Sequence, residues 1–234
     1  MNVYCPGADK ILPRPISLCA FDAESGEIRL VYRIAGKGTA ELSRLQAGET
    51  VEILGPLGNG FPLEEAAGKR VLLAGGGIGI PPMLKTAMAL KDTAEVTAVL
   101  GYREIGASEE NSGAFLLDEF RRAVRTCVSA DRICGEEAAE GDVQCTVLDA
   151  IRQNDLAADV IFACGPKPML RALKAYAAEN GIVCFLSLEE RMACGIGACL
   201  ACVCETKEKD SHSQVNNRRV CKDGPVFRAE EVIL

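Results

Sequence analysis

"RMACGIGACLACVC", residues 191–204, sets Cys194, Cys199 and Cys202 in one short loop, and "RVCKDGPVF" brings Cys221 after them. The spacing is C-x4-C-x2-C, followed after eighteen intervening residues by the fourth cysteine. Four thiolates in this order match plant-type [2Fe–2S] ligation, where one loop supplies three ligands and a distant segment the last. Gly195, Gly197 and Ala198 keep the loop free of bulk, so backbone N–H groups can approach sulfur and help set a reduction potential. Zinc is the competing metal. Zinc ribbons, however, pair two similar knuckles, whereas here three ligands share one loop and the last arrives alone. Cys204 stands two residues beyond Cys202 and is expected to pack rather than to serve as a ligand.

Three further stretches could handle phosphate. "AGGGIGIPPM", residues 74–83, closes an apolar run with Gly75, Gly76, Gly77 and Gly79. It falls short of the G-x-G-x-x-G fingerprint because position 80 is Ile, yet it keeps the logic: glycines admit a pyrophosphate and Pro81 or Pro82 opens a helix whose N-terminus attracts anions. "ACGPKPM" sets Cys164, Gly165 and Pro166 between strand and helix, as a ligand-edge loop or a plain connection. "RPIS" (Arg14, Pro15, Ile16, Ser17) and "VYRIAGKGT" (Val31, Tyr32, Arg33, then Lys37, Gly38 and Thr39) offer cations, close backbone approach and a hydroxyl donor. "GKGT" lacks Walker A spacing and reads equally well as a surface turn.

The elements that must position these residues follow two grammars. Up to about Phe61, the short β-rich runs "ISLCAF", "EIRLVYRI" and "ETVEILGPLG" alternate with Gly, Pro and Asp, as in a small antiparallel barrel. From Lys69, strands and helices alternate: "RVLLAGGG", "PPMLKTAMALK", "EVTAVLGY", "AFLLDEFRRAV", "DVIFACGPK", "PMLRALKAYAAENG" and "IVCFLSL". This order predicts a parallel sheet wound by helical crossovers. The expected domains are 1–66, a β barrel; 67–188, an α/β nucleotide-binding domain; and 189–234, a cysteine-rich module that folds around what its thiolates bind.

Composition narrows the partners. With 26 basic against 33 acidic residues the charge is −7, and no basic run appears, which argues against nucleic acid. Apolar stretches are too short and interrupted to cross a membrane. Twelve cysteines without a signal peptide point to metal chemistry in a reducing cytoplasm rather than to secreted disulfides. The single histidine, His212, lies in "KEKDSHSQVNN" and is expected in a solvated loop.

Taken in order, "RPIS", "GKGT", "GPLGNGF", "GGGIGIPP", "CGP" and the cysteine segment resemble the ferredoxin reductase superfamily, and within it the electron-transfer subunits of NAD-dependent, type B dihydroorotate dehydrogenases. The resemblance implies that the barrel binds FAD through Arg14, Pro15, Ile16, Ser17, Val31, Tyr32, Arg33, Gly38 and Thr39. It implies that Gly75, Gly76, Gly77, Gly79, Cys164, Gly165 and Pro166 border NAD, and that Cys194, Cys199, Cys202 and Cys221 hold a [2Fe–2S] cluster. A partner subunit carrying FMN would oxidise dihydroorotate in pyrimidine (UMP) biosynthesis. Two catalytic and two electron-transfer subunits would form a heterotetramer, with electrons passing through cluster and FAD to NAD+.

No catalytic acid or base is then required of this chain, and the cysteine segment is expected in the subunit interface. Family members carry barrel strands ahead of the arginine motif, so a chain entering at "MNVYCPGADK" is expected to build an incomplete barrel. The gap before Cys221 is slightly long for the family, as an insertion around His212 would make it. In "GYREIG", Arg103 would suit a 2′-phosphate and Glu104 a free ribose, if either is more than a loop residue. Two other functions share these motifs: a flavin and [2Fe–2S] subunit of a transhydrogenase or sulfhydrogenase, and a zinc-stabilised nucleotide-binding regulator without redox activity.

Overall fold

The computed structural model describes residues 1–6, 11–105, 114–133, 142, 144–209 and 214–234; His212 lies outside them. In the first part, β1 (Asn2–Val3) lies between β2 (Arg14–Pro15) and β5 (Ile53–Leu54) in an antiparallel sheet, and β3 (Leu18–Phe21) pairs β4 (Ile28–Leu30) as a hairpin. These two small antiparallel sheets are the barrel-type part of the chain. Val3, Cys5, Ile16 and Leu42 form its small core with Leu30 and Tyr32 against them. The strand runs are shorter than their apolar patterns suggest: of "EIRLVYRI" only Ile28–Leu30 is strand. "GKGT" also differs from the expected turn or loop, because Lys37–Leu42 is a short helix, α1, entered through Gly36.

The central sheet runs β13-β10-β9-β6-β7-β8. Its middle strand β6 (Arg70–Gly76) is buried at every position but its first, the all-apolar signature of a parallel strand covered on both faces. α2 (Ile80–Leu90) crosses to β7 (Glu95–Ile105), and α3 (Leu117–Ala123) to β8 (Arg125–Ile133). The chain then returns past β6 through α4 (Val147–Gln153) to β9 (Val160–Cys164), α5 (Lys167–Asn180) and β10 (Val183–Ser187). β8 and α4 were not legible in the sequence. Arg125, Asp131 and Arg132 break the apolar run of β8, but they sit at the ends of an edge strand whose middle, residues 127–130, is buried. Arg103 and Glu104 lie within β7 rather than in a loop, with Glu104 in register with Arg132.

The strand order reverses between β6 and β9, so a crevice opens at their carboxyl ends, where open α/β sheets bind ligands. The last segment closes the molecule. β11 (Val203–Glu205) and β12 (Asn217–Arg219) form a hairpin, and β13 (Val226–Arg228) adds antiparallel to β10 through Phe185↔Arg228, Leu186↔Phe227 and Ser187↔Val226. Cys202, Cys204, Val220 and Cys221 consequently share one core with α5, β9 and β10. Phe162, fully buried in β9, stacks on Phe61 at 4.9 Å and meets Phe185 edge-on at 5.6 Å. Such ring pairs add about 0.5–1.5 kcal/mol each beyond burial, and this one ties the end of the barrel segment to the sheet.

Candidate redox and nucleotide sites

The ligand loop, residues 194–202, has no regular structure; Gly195 takes φ +65°, and a Cβ there would sit 2.7 Å from the amide carbon of Asn2. The loop turns so that the Cys199 N–H donates to Cys194 Sγ at 3.4 Å. Across the β11–β12 hairpin, the Cys221 N–H donates to Cys202 Sγ at 3.4 Å, and the Val220 N–H donates to the Cys202 carbonyl at 2.9 Å. The sulfurs therefore fall into two pairs, 194 with 199 and 202 with 221.

Backbone N–H groups of Ile196 and Cys199, with the Cys199 side chain, hold the Cys194 thiol down at about 6. Burial, reinforced by Cys202, pushes Cys221 up to about 11. Cys204, in β11, is buried in the same core as Cys202 rather than facing away from it, because residues two apart in a strand share a face, and burial raises its thiol.

These donors fit a two-iron group. Each pair offers two sulfurs to one iron, with N–H groups already directed at sulfur. In metal-free protein, alkylation by iodoacetamide is expected first at Cys194. Its rate should rise with a midpoint near pH 6 and reach its plateau by neutral pH, while Cys221 reacts only in strong alkali, because the thiolate is the nucleophile. Peptide mass spectrometry across a pH series reads this order.

The expected flavin residues divide. Arg14, Pro15, Gly38 and Thr39 line one cleft of ≈ 700 Å³ together with Ile11, Lys37 and Met192. Ile16 is buried in the barrel core, and Val31 packs against the core of the central sheet. Ser17, Val31, Tyr32 and Arg33 stand outside the cleft lining. The Arg14 guanidinium lies over Gly38 and donates to the Leu12 carbonyl. The Thr39 hydroxyl, expected as a free donor, is committed locally: it accepts from the Ala35 and Gly36 amides (2.9 and 3.2 Å) and donates to the Gly36 carbonyl (3.0 Å). That ring of bonds starts α1 and shapes the cleft wall. Met192 comes from beside the ligand loop, and no local pattern in the sequence signals its approach to the cleft.

The nucleotide residues are all brought to the sheet's reversal point. Gly75 of β6 is in register with Cys164 of β9. Gly77–Gly79 forms a 3-10 turn leading into α2, and Pro81 and Pro82 occupy its first turn. Gly79 lies so close to the next loop that a Cβ would collide with the Cys164 carbonyl and stand 2.7 Å from the Gly165 N. Gly165 and Pro166 also line a second cleft of ≈ 390 Å³ with Lys167, Leu188, Glu190 and Arg191. Its Lys167–Glu190 ion pair, at 2.5 Å, joins residues that no sequence pattern connects. Burial pushes the Cys164 thiol up to about 11 against a hydrogen bond with Ser187, so it remains neutral at physiological pH.

Comparison with known proteins adds identity to this geometry. Residues 189–233 match the family described as the iron-sulfur cluster binding domain of dihydroorotate dehydrogenase B. The chain is 47% identical over 229 residues (97% of this chain, 82% of the relative) to the dihydroorotate dehydrogenase B (NAD(+)) electron transfer subunit of Bacillus caldolyticus. It is 42% identical to the protein of that name from Listeria monocytogenes serotype 4a, over 97% of this chain and 83% of the relative. Among solved structures, an NADH-dependent reduced ferredoxin-NADP oxidoreductase studied for flavin-based electron bifurcation superposes with a TM-score of 0.82 at 28% identity, covering 99% of this chain and 78% of that one. With such identity along nearly all of its residues, the chain belongs to the family of electron transfer subunits of NAD+-dependent dihydroorotate dehydrogenase B.

Proposed function

We propose that Cys194, Cys199, Cys202 and Cys221 hold a [2Fe–2S] cluster, that the cleft under Arg14 and Gly38 takes FAD, and that Gly75, Gly76, Gly77 and Gly79 with Cys164, Gly165 and Pro166 border NAD. The single observation that carries this reading is the division of the four cysteines into two N–H-bonded pairs beside the FAD cleft, which Met192 joins to the ligand loop. The chain is the electron-transfer component of an oxidoreductase that passes electrons from dihydroorotate to NAD+, a step of pyrimidine biosynthesis. Bound, the cluster carries single electrons and FAD joins that traffic to hydride exchange with the nicotinamide.

The protein's own part is placement and electrostatics. Arg14 supplies a fixed positive charge to a diphosphate. Gly79 lets the nucleotide loop close on the Cys164 turn, and the neutral Cys164 thiol adds no negative charge beside an anionic cofactor. Main-chain N–H groups stabilise the thiolates, and no side chain here is assigned a proton transfer. Domain limits of 1–66, 67–188 and 189–234 suit these roles, with β13 of the third part lent to the sheet of the second.

An FMN-bearing catalytic subunit is the proposed partner, in a heterotetramer of two and two. Ile196, Leu200 and Val203, exposed around the ligand loop at 51, 60 and 37%, supply an apolar face on which it could dock with the cluster near its flavin. Among the described residues no helix is long and apolar enough to cross a membrane, and all the described cysteines are free thiols.

Anaerobic purification with iron, sulfide, zinc and flavin analysis tests the reading: two irons, two sulfides and one FAD per chain are expected. Zinc without iron or flavin would overturn it. A transhydrogenase-type subunit is the second reading, favoured by the TM-score of 0.82 with the bifurcating oxidoreductase. Co-purification with a dihydroorotate-oxidising FMN protein separates the two.

A further inference from the structure

Two asparagines of the barrel segment grip the backbone on either side of the cluster ligands. Asn2, in β1, is 1% exposed, and its Nδ2 donates to the Cys194 carbonyl at 3.1 Å. The loop is pressed onto this side chain at Gly195, with no space for another atom between them. Asn59 follows β5 and meets the opposite end of the ligand set. Its Nδ2 donates to the carbonyls of Lys222 and Asp223, at 3.2 Å each, and its backbone N–H donates to the Gly224 carbonyl at 2.6 Å. One asparagine therefore holds the residue that carries the first thiolate, and the other holds the turn directly after the fourth.

The Asn2 strand leads to the flavin cleft, and β5, which precedes Asn59, is tied to that strand by the pairing Asn2↔Leu54. Asn2 is in register with Pro15, which lines the cleft beside Arg14. A short neutral amide suits such a seam because it donates to carbonyls without burying a charge, whereas a carboxylate of the same shape offers only acceptors. We propose that Asn2 and Asn59 are positioning residues that register the cluster ligands against the flavin cleft and so fix the path between the two redox groups. The inference rests on the cofactor assignment made above.

The test uses the holo-chain and its Asn2→Asp, Asn59→Ala and doubly substituted forms. Iron, sulfide and FAD in the unsubstituted protein are measured first; their absence would sink the cofactor assignment itself, separately from the positioning role. Each loaded protein is then mixed anaerobically with NADH. Hydride transfer puts two electrons and a proton on the flavin, and one electron passes on to the oxidised cluster while the other stays behind.

With cofactor content and the EPR spectrum of the reduced cluster unchanged, the flavin-to-cluster step should slow about tenfold in each single variant and further in the double. Amide exchange over residues 194–199 and 221–224 should rise at the same time. Full cofactor content with an unaltered transfer rate overturns the proposal, whether or not exchange rises. Should Asn2→Asp fail to retain its cluster, Asn59→Ala decides alone. Asn59 is exposed, and its loss removes only two side-chain bonds.

Discussion

Cys202→Ser protein should fold, bind FAD and oxidise NADH with an artificial acceptor, yet lose its cluster and with it dihydroorotate-dependent NAD+ reduction. Cys202 is 2% exposed and accepts the Cys221 N–H on its sulfur, so it joins the loop to the distant fourth ligand. Serine keeps the shape but presents an alcohol where a soft thiolate is needed. The hairpin survives because its register, Val203↔Arg219 and Glu205↔Asn217, is main-chain pairing that no side chain alters. Physiological turnover through the complex should fall more than about a hundredfold, beyond the range typical of lost outer-shell support, while dye-linked NADH oxidation changes by less than about twofold. Iron and sulfide analysis with EPR reads the first effect and a dye assay the second; full iron in this variant would refute the ligand assignment.

The second large effect lies at the sheet's reversal point. Gly79→Ala should raise KM for NADH by about a hundredfold, as expected when a binding loop is displaced by around an ångström, and leave iron and flavin content intact. The added methyl meets the Cys164 carbonyl and the Gly165 N, and neither can retreat easily because Gly75↔Cys164 and Ala74↔Ala163 pair in the parallel ladder. The turn from β6 into α2 must move instead, closing the place where the nucleotide would enter. Overpacking of this kind costs roughly 1–3 kcal/mol of stability, so the melting temperature should drop modestly while the cluster stays. Steady-state NADH titration with an artificial acceptor checks it. An unchanged KM would remove Gly79 from the nucleotide site.

The cysteine loop was legible because its chemistry is local. The spacing of Cys194, Cys199 and Cys202 and the small residues between them carry the ligand geometry within a few peptide units. Period and punctuation likewise announced β6, α2, β9 and α5, whose apolar runs are long and end at glycine or proline. β8 escaped because charged residues at its ends masked a short buried middle, and α4 because it is only two turns long. "GKGT" was open to two readings since no local rule states that the Thr39 hydroxyl will turn back onto Ala35 and Gly36 and start a helix.

By itself, then, the sequence determined the class of each part: a flavin-type barrel segment, a wound parallel sheet with glycines at its ligand edge, and a loop of thiolates suited to iron and sulfide. Only the tertiary structure decided how the parts face one another. It paired Cys202 with Cys221, carried Met192 into the cleft under Arg14 and Gly38, set Asn2 and Asn59 against the backbone around Cys194 and Cys221, and lent β13 to the central sheet. Propensity and spacing act over a few residues, whereas each of those contacts joins segments far apart in the chain. Their partners are chosen by the packing of whole sheets and by the need of buried carbonyls for donors, which no single stretch encodes.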